Sequence, residues 1–183
     1  DWTAAETKKL GDTSLWIGVA KRDVRFRLYT ETHNVATRAE GEALVTFRSL
    51  SPSVALDLAR AVLDSCHHKG FQVAVAVVDR FGTPQVMLRD QFAGPHTPDT
   101  ATAKAWTAIS FRSDTLKLAA STAGDQPQSG ARFIAGAVML GGGLPVEAGG
   151  SIVGGVGVSG GPSGEADDAC ARTGIAAVED KLF

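Results

Sequence analysis

Residues 72–78, Gln-Val-Ala-Val-Ala-Val-Val, constrain the fold more than any other stretch of the chain. The run is apolar and rich in β-branched residues, which suits a strand buried on both faces. Gly70 precedes it and Phe81-Gly82-Thr83-Pro84 follows, so the chain turns directly after it. Residues 85–89 then return as a second strand, and the pair reads as a β-hairpin. A hairpin imposes antiparallel pairing, so whatever covers this strand must pack onto an antiparallel sheet.

Helical signals flank the hairpin. Ser51 is a cap and Pro52 suits a first turn, after which Ala55, Leu58, Ala59, Val62 and Cys66 recur at helical spacing until Gly70. Beyond the loop 92–95, Thr97 caps a second helix that has Pro98 at its first position and runs through Lys104 and Trp106 to about residue 110. A third helix is expected over 113–121, then a polar loop over 124–130. Strands are expected at 138–140 and 144–148, a tight turn at Gly149-Gly150, and a strand at 151–158. A last helix is expected over 163–181, with Ala166, Ala169, Cys170, Thr173 and Ala177 as its inward stripe. The order predicts an α/β fold of the α+β kind: one domain with a mostly antiparallel sheet of about five strands flanked by helices.

Residues 1–47 differ from the rest. They are polar and carry Lys21, Arg22, Arg25 and Arg27 close together, while Trp2, Trp16, Phe26 and Tyr29 give them something to bury. They read as an extension, in part mobile, that packs on the domain of 48–183 or on a partner subunit, with a short strand at 24–29. The whole chain has 183 residues and a formal charge of −2, which argues against a global field for nucleic acid or anionic membrane. No apolar run approaches the roughly 20 residues that span a bilayer. A start at Asp1 suits a processed mature protein or a trimmed one. Export is therefore open, with a periplasmic or secreted location favoured over a cytoplasmic one. Cys66 and Cys170 have no CxxC partner, which excludes a cysteine-only zinc site. Two buried free thiols are one reading and a single disulfide, pointing to an oxidising compartment, is the other.

Several strings occur in a telling order: Val75-Ala76-Val77-Val78-Asp79 with Gly82, Lys104-Ala105-Trp106-Thr107-Ala108 with Phe111, Gly141-Gly142-Gly143-Leu144-Pro145-Val146, the glycines from 154 to 160, and Asp167-Asp168-Ala169-Cys170. Together, over residues 50–183, they resemble the GlcG/HbpS family of bacterial haem-binding proteins, also called haem-degrading or PduO C-terminal-like domains. The resemblance implies a homo-oligomeric α/β domain that binds haem, or in some relatives a corrinoid, near subunit contacts. It implies a role in haem uptake, storage, breakdown or redox sensing, and leaves open whether the protein is an enzyme. The alternative is a small-molecule enzyme or accessory subunit of a metabolic operon that uses the same pocket without haem. The extension inherits nothing from the resemblance.

His96 is the leading iron ligand. It sits in Gly94-Pro95-His96-Thr97-Pro98 at the mouth of a helix, and a neutral imidazole is a common axial ligand. The resemblance also implies a threonine oxygen as ligand, which brings in Thr100 and Thr107. Lys104 is a candidate for a haem propionate or for a structural carboxylate such as Asp79. Arg132 and Arg89 are further propionate candidates. Phe92, Trp106, Phe111 and Phe133 offer flat apolar surface. His67 and His68 read as charge near a helix C-terminus, and His33 as a remote second ligand. Residues 141–143 lack the Lys-Ser/Thr of a phosphate loop, so their glycines and those of 154–157 read as sites of close backbone approach. Glu165, Asp167 and Asp168 complement the dipole of the last helix or hold a cation. Ser159 and Ser163 have no nucleophile-elbow context.

Overall fold

The computed structural model describes residues 3–10, 13–19 and 44–182, so the expected strand at 24–29 and His33 lie outside the described residues. The chain divides into two units, Asp1–Val45 and Thr46–Phe183. In the first, β1 (Thr3–Leu10) pairs antiparallel with β2 (Thr13–Val19), a hairpin the sequence reading does not anticipate.

The second unit carries the sheet and helices. Its helices are α1 (Pro52–His67), α2 (Thr97–Phe111), α3 (Thr115–Ser121) and α4 (Gly164–Ala177). Its strands are β3 (Ala74–Asp79), β4 (Pro84–Arg89), β5 (Gly143–Ala148) and β6 (Ser151–Ser159), in the order β4-β3-β6-β5 and antiparallel throughout. Four strands form where about five are expected. The expected strand at 138–140 is coil, because the Val138 N–H is bound 2.9 Å away by the Thr107 hydroxyl rather than by a neighbouring strand. Gly149 and Gly150 have φ of +56° and +74°, the left-handed pair that a two-residue hairpin turn requires.

Strand alternation sorts the core. Val73, Val75 and Val77 join Val156 and Val158 on one face, packed under Leu58 and Val62 of α1 and Cys170 of α4. Ala74 and Ala76 lie on the other face with Ala101 of α2. Across β3 and β6 the register sets Val75 opposite Val158, Val77 opposite Val156 and Ala76 opposite Gly157. The α2 face is lined with such small residues because the helix backbone itself lies on it. A Cβ on Gly157 would run into the Ala101 carbonyl oxygen.

Cys66 and Cys170 form a disulfide that joins α1 to α4, with Cα atoms 5.4 Å apart and both residues fully buried. The inward stripe of α4 differs from the expected one. Cys170 is inward, but Ala169, Thr173 and Ala177 are exposed, and Asp167, Asp168, Ala171 and Gly174 are buried instead. Gly174 sits against Val62, where a side chain would collide with α1. A pattern that counts only apolar residues misses a stripe containing glycine and paired carboxylates.

Candidate functional site

The α2 N-terminus, the start of β3 and the segment 159–164 that leads into α4 surround a cavity of about 750 Å³. His96, Thr100 and Lys104 line it, together with Phe71, Phe92 and Leu140. Three of the candidate residues thus meet in one place.

His96 occupies the N-cap position of α2, one residue before the cap expected at Thr97, and its side chain makes no capping hydrogen bond. The Thr97 hydroxyl instead donates to the Gly94 carbonyl at 2.7 Å, and the Thr100 hydroxyl donates to the His96 carbonyl at 2.9 Å. These bonds fix the backbone that carries the imidazole while leaving the exposed ring to other partners. The loop before it is anchored by Asp90, which the sequence reading misses. One Asp90 oxygen accepts the Val73 N–H at 2.8 Å and the other meets His67 Nε2 at 2.6 Å. His67 is therefore bound to Asp90 rather than serving only as charge at a helix end. The Arg89 guanidinium donates to the Ala93 carbonyl, so it braces the loop.

Lys104 is only 3% exposed. Its ammonium donates to the Val158 carbonyl and to Asp167, each at 2.8 Å. Asp167, and not Asp79, is its carboxylate. Asp79 accepts the Phe81 and Thr83 N–H groups of its own turn. The second Asp167 oxygen accepts the Gly161 N–H at 2.8 Å, so this pair holds the cavity wall at 159–161. Burial pushes the Asp167 carboxyl above its ordinary range, against the pull of Lys104 and Gly161.

Two candidates lie elsewhere. The Thr107 hydroxyl donates to the Ala103 carbonyl at 2.7 Å and accepts from Val138, so it is fully engaged within the protein and does not face the cavity. Arg132 donates to the Ala119 and Thr122 carbonyls and secures the end of α3. Of the aromatics, Phe92 lines the cavity; Trp106 packs against Gly82, and Phe111 and Phe133 are not in the lining. Asp168 pairs with Arg172 at 2.6 Å, and Arg172 with Asp114 at 2.7 Å. Burial raises the Asp114 pKa, but its bonds to Arg172 and Lys117 outweigh that and hold it below the usual range. Asp167 and Asp168 are thus spoken for by cations of the protein, and no group of three or more potential metal-ligating side chains forms among the described residues.

A three-layer α+β domain with an open cavity between the N-termini of two helices defines a class of small ligand-binding proteins. Within that class the chain belongs to the family described as haem degrading protein HbpS-like, whose profile matches residues 50–176. A double mutant of Streptomyces reticuli HbpS is similar in structure, with a TM-score of 0.71 and 36% identity, covering 87% of this chain and 99% of that one. A PduOC:heme complex aligns with a TM-score of 0.66 and 32% identity over 70% of this chain and 94% of that one. The corrinoid adenosyltransferase PduO of Salmonella typhimurium is 34% identical over 66% of this chain, which spans 36% of that relative's length. The family and the antiparallel α+β fold agree with the sequence reading. No helix among the described residues is long and apolar enough to cross a membrane.

Proposed function

We propose that this chain binds haem in the cavity at the start of α2, with His96 as iron ligand and the Thr100 hydroxyl as the oxygen alternative. The observation that carries the reading is an uncapped, exposed imidazole on the rim of a cavity of about 750 Å³. That volume lies within the roughly 300–1,000 Å³ of small-molecule and cofactor sites. Phe92 and Leu140 leave 78% and 55% of their surface exposed at the same place, apolar area suited to a porphyrin face. Haem, once bound, supplies a redox-active iron and its Soret absorption. Lys104 holds the wall through Asp167. A second copy of the chain would cover the remaining open side, giving a homo-oligomer with the ligand near the contact. An open site with a single imidazole favours reversible holding, as in uptake or storage, over breakdown. The buried Cys66–Cys170 disulfide favours a periplasmic or secreted location.

Titration with haemin tests this. A Soret shift with defined stoichiometry is expected, read beside the native mass. His96→Ala is expected to weaken binding at least about tenfold and alter the spectrum, since even outer partners of metal ligands are worth that much. His67→Ala, whose ring is bound to Asp90, should keep the spectrum. An unchanged spectrum and affinity in His96→Ala refutes the ligand assignment. The likeness to part of a corrinoid adenosyltransferase supports a second reading, a corrinoid in the same cavity. Binding of hydroxocobalamin by a protein that ignores haemin would select it.

A further inference from the structure

A second cavity, of about 530 Å³, lies at the other end of α2 and shares no lining residue with the first. The helix that runs between them has 15 residues and is about 22 Å long. Arg80 from the β3–β4 turn, Arg112 from the end of α2 and Glu147 from β5 converge on it, between the apolar walls of Ile109 and Ile152.

The two cations are prepared for a ligand in different ways. The Arg80 guanidinium donates to the Arg48 carbonyl at 3.2 Å and stands over two phenyl rings, 5.5 Å from the centre of Phe47 and 5.9 Å from that of Phe81. Among the described residues this is its one hydrogen-bond acceptor, which leaves most of its five donors available, while the rings hold its plane. Arg112 has φ of +52°, and it is the non-glycine residue with positive φ among those described. A helix that ends in the left-handed conformation normally uses glycine there, so an arginine is held at a cost. Among the described residues, neither Arg112 nor Glu147 has an ion-pair partner. Glu147 is paired in register with Ile152 across the β5–β6 hairpin, which sets carboxylate and apolar wall side by side.

Two guanidiniums alone would suit a phosphate dianion. The carboxylate beside them opposes a dianion and adds an acceptor for a cationic group. We propose that this cavity binds a small amino-carboxylate, a free amino acid with an apolar side chain. Its carboxylate meets Arg80 and Arg112, its ammonium meets Glu147, and its side chain lies against Ile109 and Ile152. The site is independent of haem in the first cavity.

Calorimetry and thermal shift on the full chain test this with L-leucine, its deamino analogue 4-methylpentanoate, and inorganic phosphate. L-leucine is expected to bind, and 4-methylpentanoate about tenfold more weakly for want of its charge partner. Glu147→Gln should remove that difference. Arg112→Gly should lower leucine affinity about tenfold or more while leaving the unliganded melting temperature equal or higher, because glycine relieves the positive φ. A merely structural Arg112 would give the opposite pattern, lower stability and intact binding. No binding of leucine up to about 10 mM, far weaker than a specific site gives, overturns the proposal. So does binding of phosphate in its place, or leucine binding indifferent to both substitutions.

Discussion

The two faces of the sheet are built on opposite principles. Under α1 and α4 the sheet presents valines, and stability comes from apolar volume closed by a disulfide. Under α2 it presents alanine and glycine, and the helix backbone rests almost directly on the strands. The first face buries large side chains, and a buried ion pair, Lys104 of α2 with Asp167 of α4, ties the two helix layers together. Both candidate cavities lie at the ends of α2, and this follows from the packing. A helix laid close on a flat surface is held rigidly, so the loops at its two ends present ligand groups from a fixed base. The thick layer stabilises and the thin layer positions.

The largest expected effect comes from removing one partner of the Lys104–Asp167 pair. Lys104→Met leaves Asp167 buried without its cation, and a loss of about 3–5 kcal/mol is expected at neutral pH. The sign with pH is defined. Burial raises the native pKa of Asp167 above the unfolded value, so the folded form binds this proton more tightly. The contribution is full below the ordinary carboxylate pKa and is lost as pH rises through the raised one. Without Lys104 that pKa rises further, so urea midpoints of the variant should recover as the solution is acidified into this window. Adding Asp167→Leu should restore part of the loss, since replacing both partners leaves no orphaned charge. Equal losses at all pH values would show that Lys104 acts by packing alone.

A single methyl group on the same face comes next. Gly157→Ala sets a Cβ against the Ala101 carbonyl, an obstacle that cannot rotate away. Overpacking of this kind costs about 1–3 kcal/mol, and backbone contact argues for the upper end. Displacement of α2 should also disturb both cavities, so haemin and leucine titrations on the variant should weaken together. If stability and both titrations are unchanged, the helix does not rest on the sheet as described.

Features whose cause is local can be read from the sequence, and those set by distant partners cannot. The strand at 72–78, its hairpin, the Ser51-Pro52 helix start and the Gly149-Gly150 turn all carry their cause within a few residues, and all form. The strand expected at 138–140 fails because a hydroxyl 31 positions away takes its N–H. The α4 stripe departs from its apolar pattern for a similar reason. Asp167 is buried because Lys104 waits for it 63 positions away, and Gly174 because Val62 needs the room. At the first cavity, the structure brings together His96, singled out by its loop setting, Thr100, implied by the family resemblance, and Lys104. Thr107 was not separated from them, since a helical threonine gives no sign of whether its hydroxyl is already engaged. Asp90, which anchors the loop, shows no periodicity and no motif. The second cavity draws on a turn, a helix end and a hairpin, and no stretch of sequence contains it.

The smallest expected effect belongs to the thick layer and completes the comparison. Leu58, on the inner face of α1, is fully buried among the valines of the sheet. Leu58→Met keeps apolar volume and changes shape, and such swaps cost less than about 1.5 kcal/mol because flexible side chains rearrange around one another. More atoms change here than in Gly157→Ala, yet they lie in an apolar cluster rather than against a backbone carbonyl. Urea denaturation of the two variants side by side should therefore give the smaller loss to Leu58→Met, with its ligand titrations intact. A reversed order would mean that the valine face is the rigidly fitted one and that α2 rides on a deformable contact, which would remove the physical reason for finding both cavities at its ends.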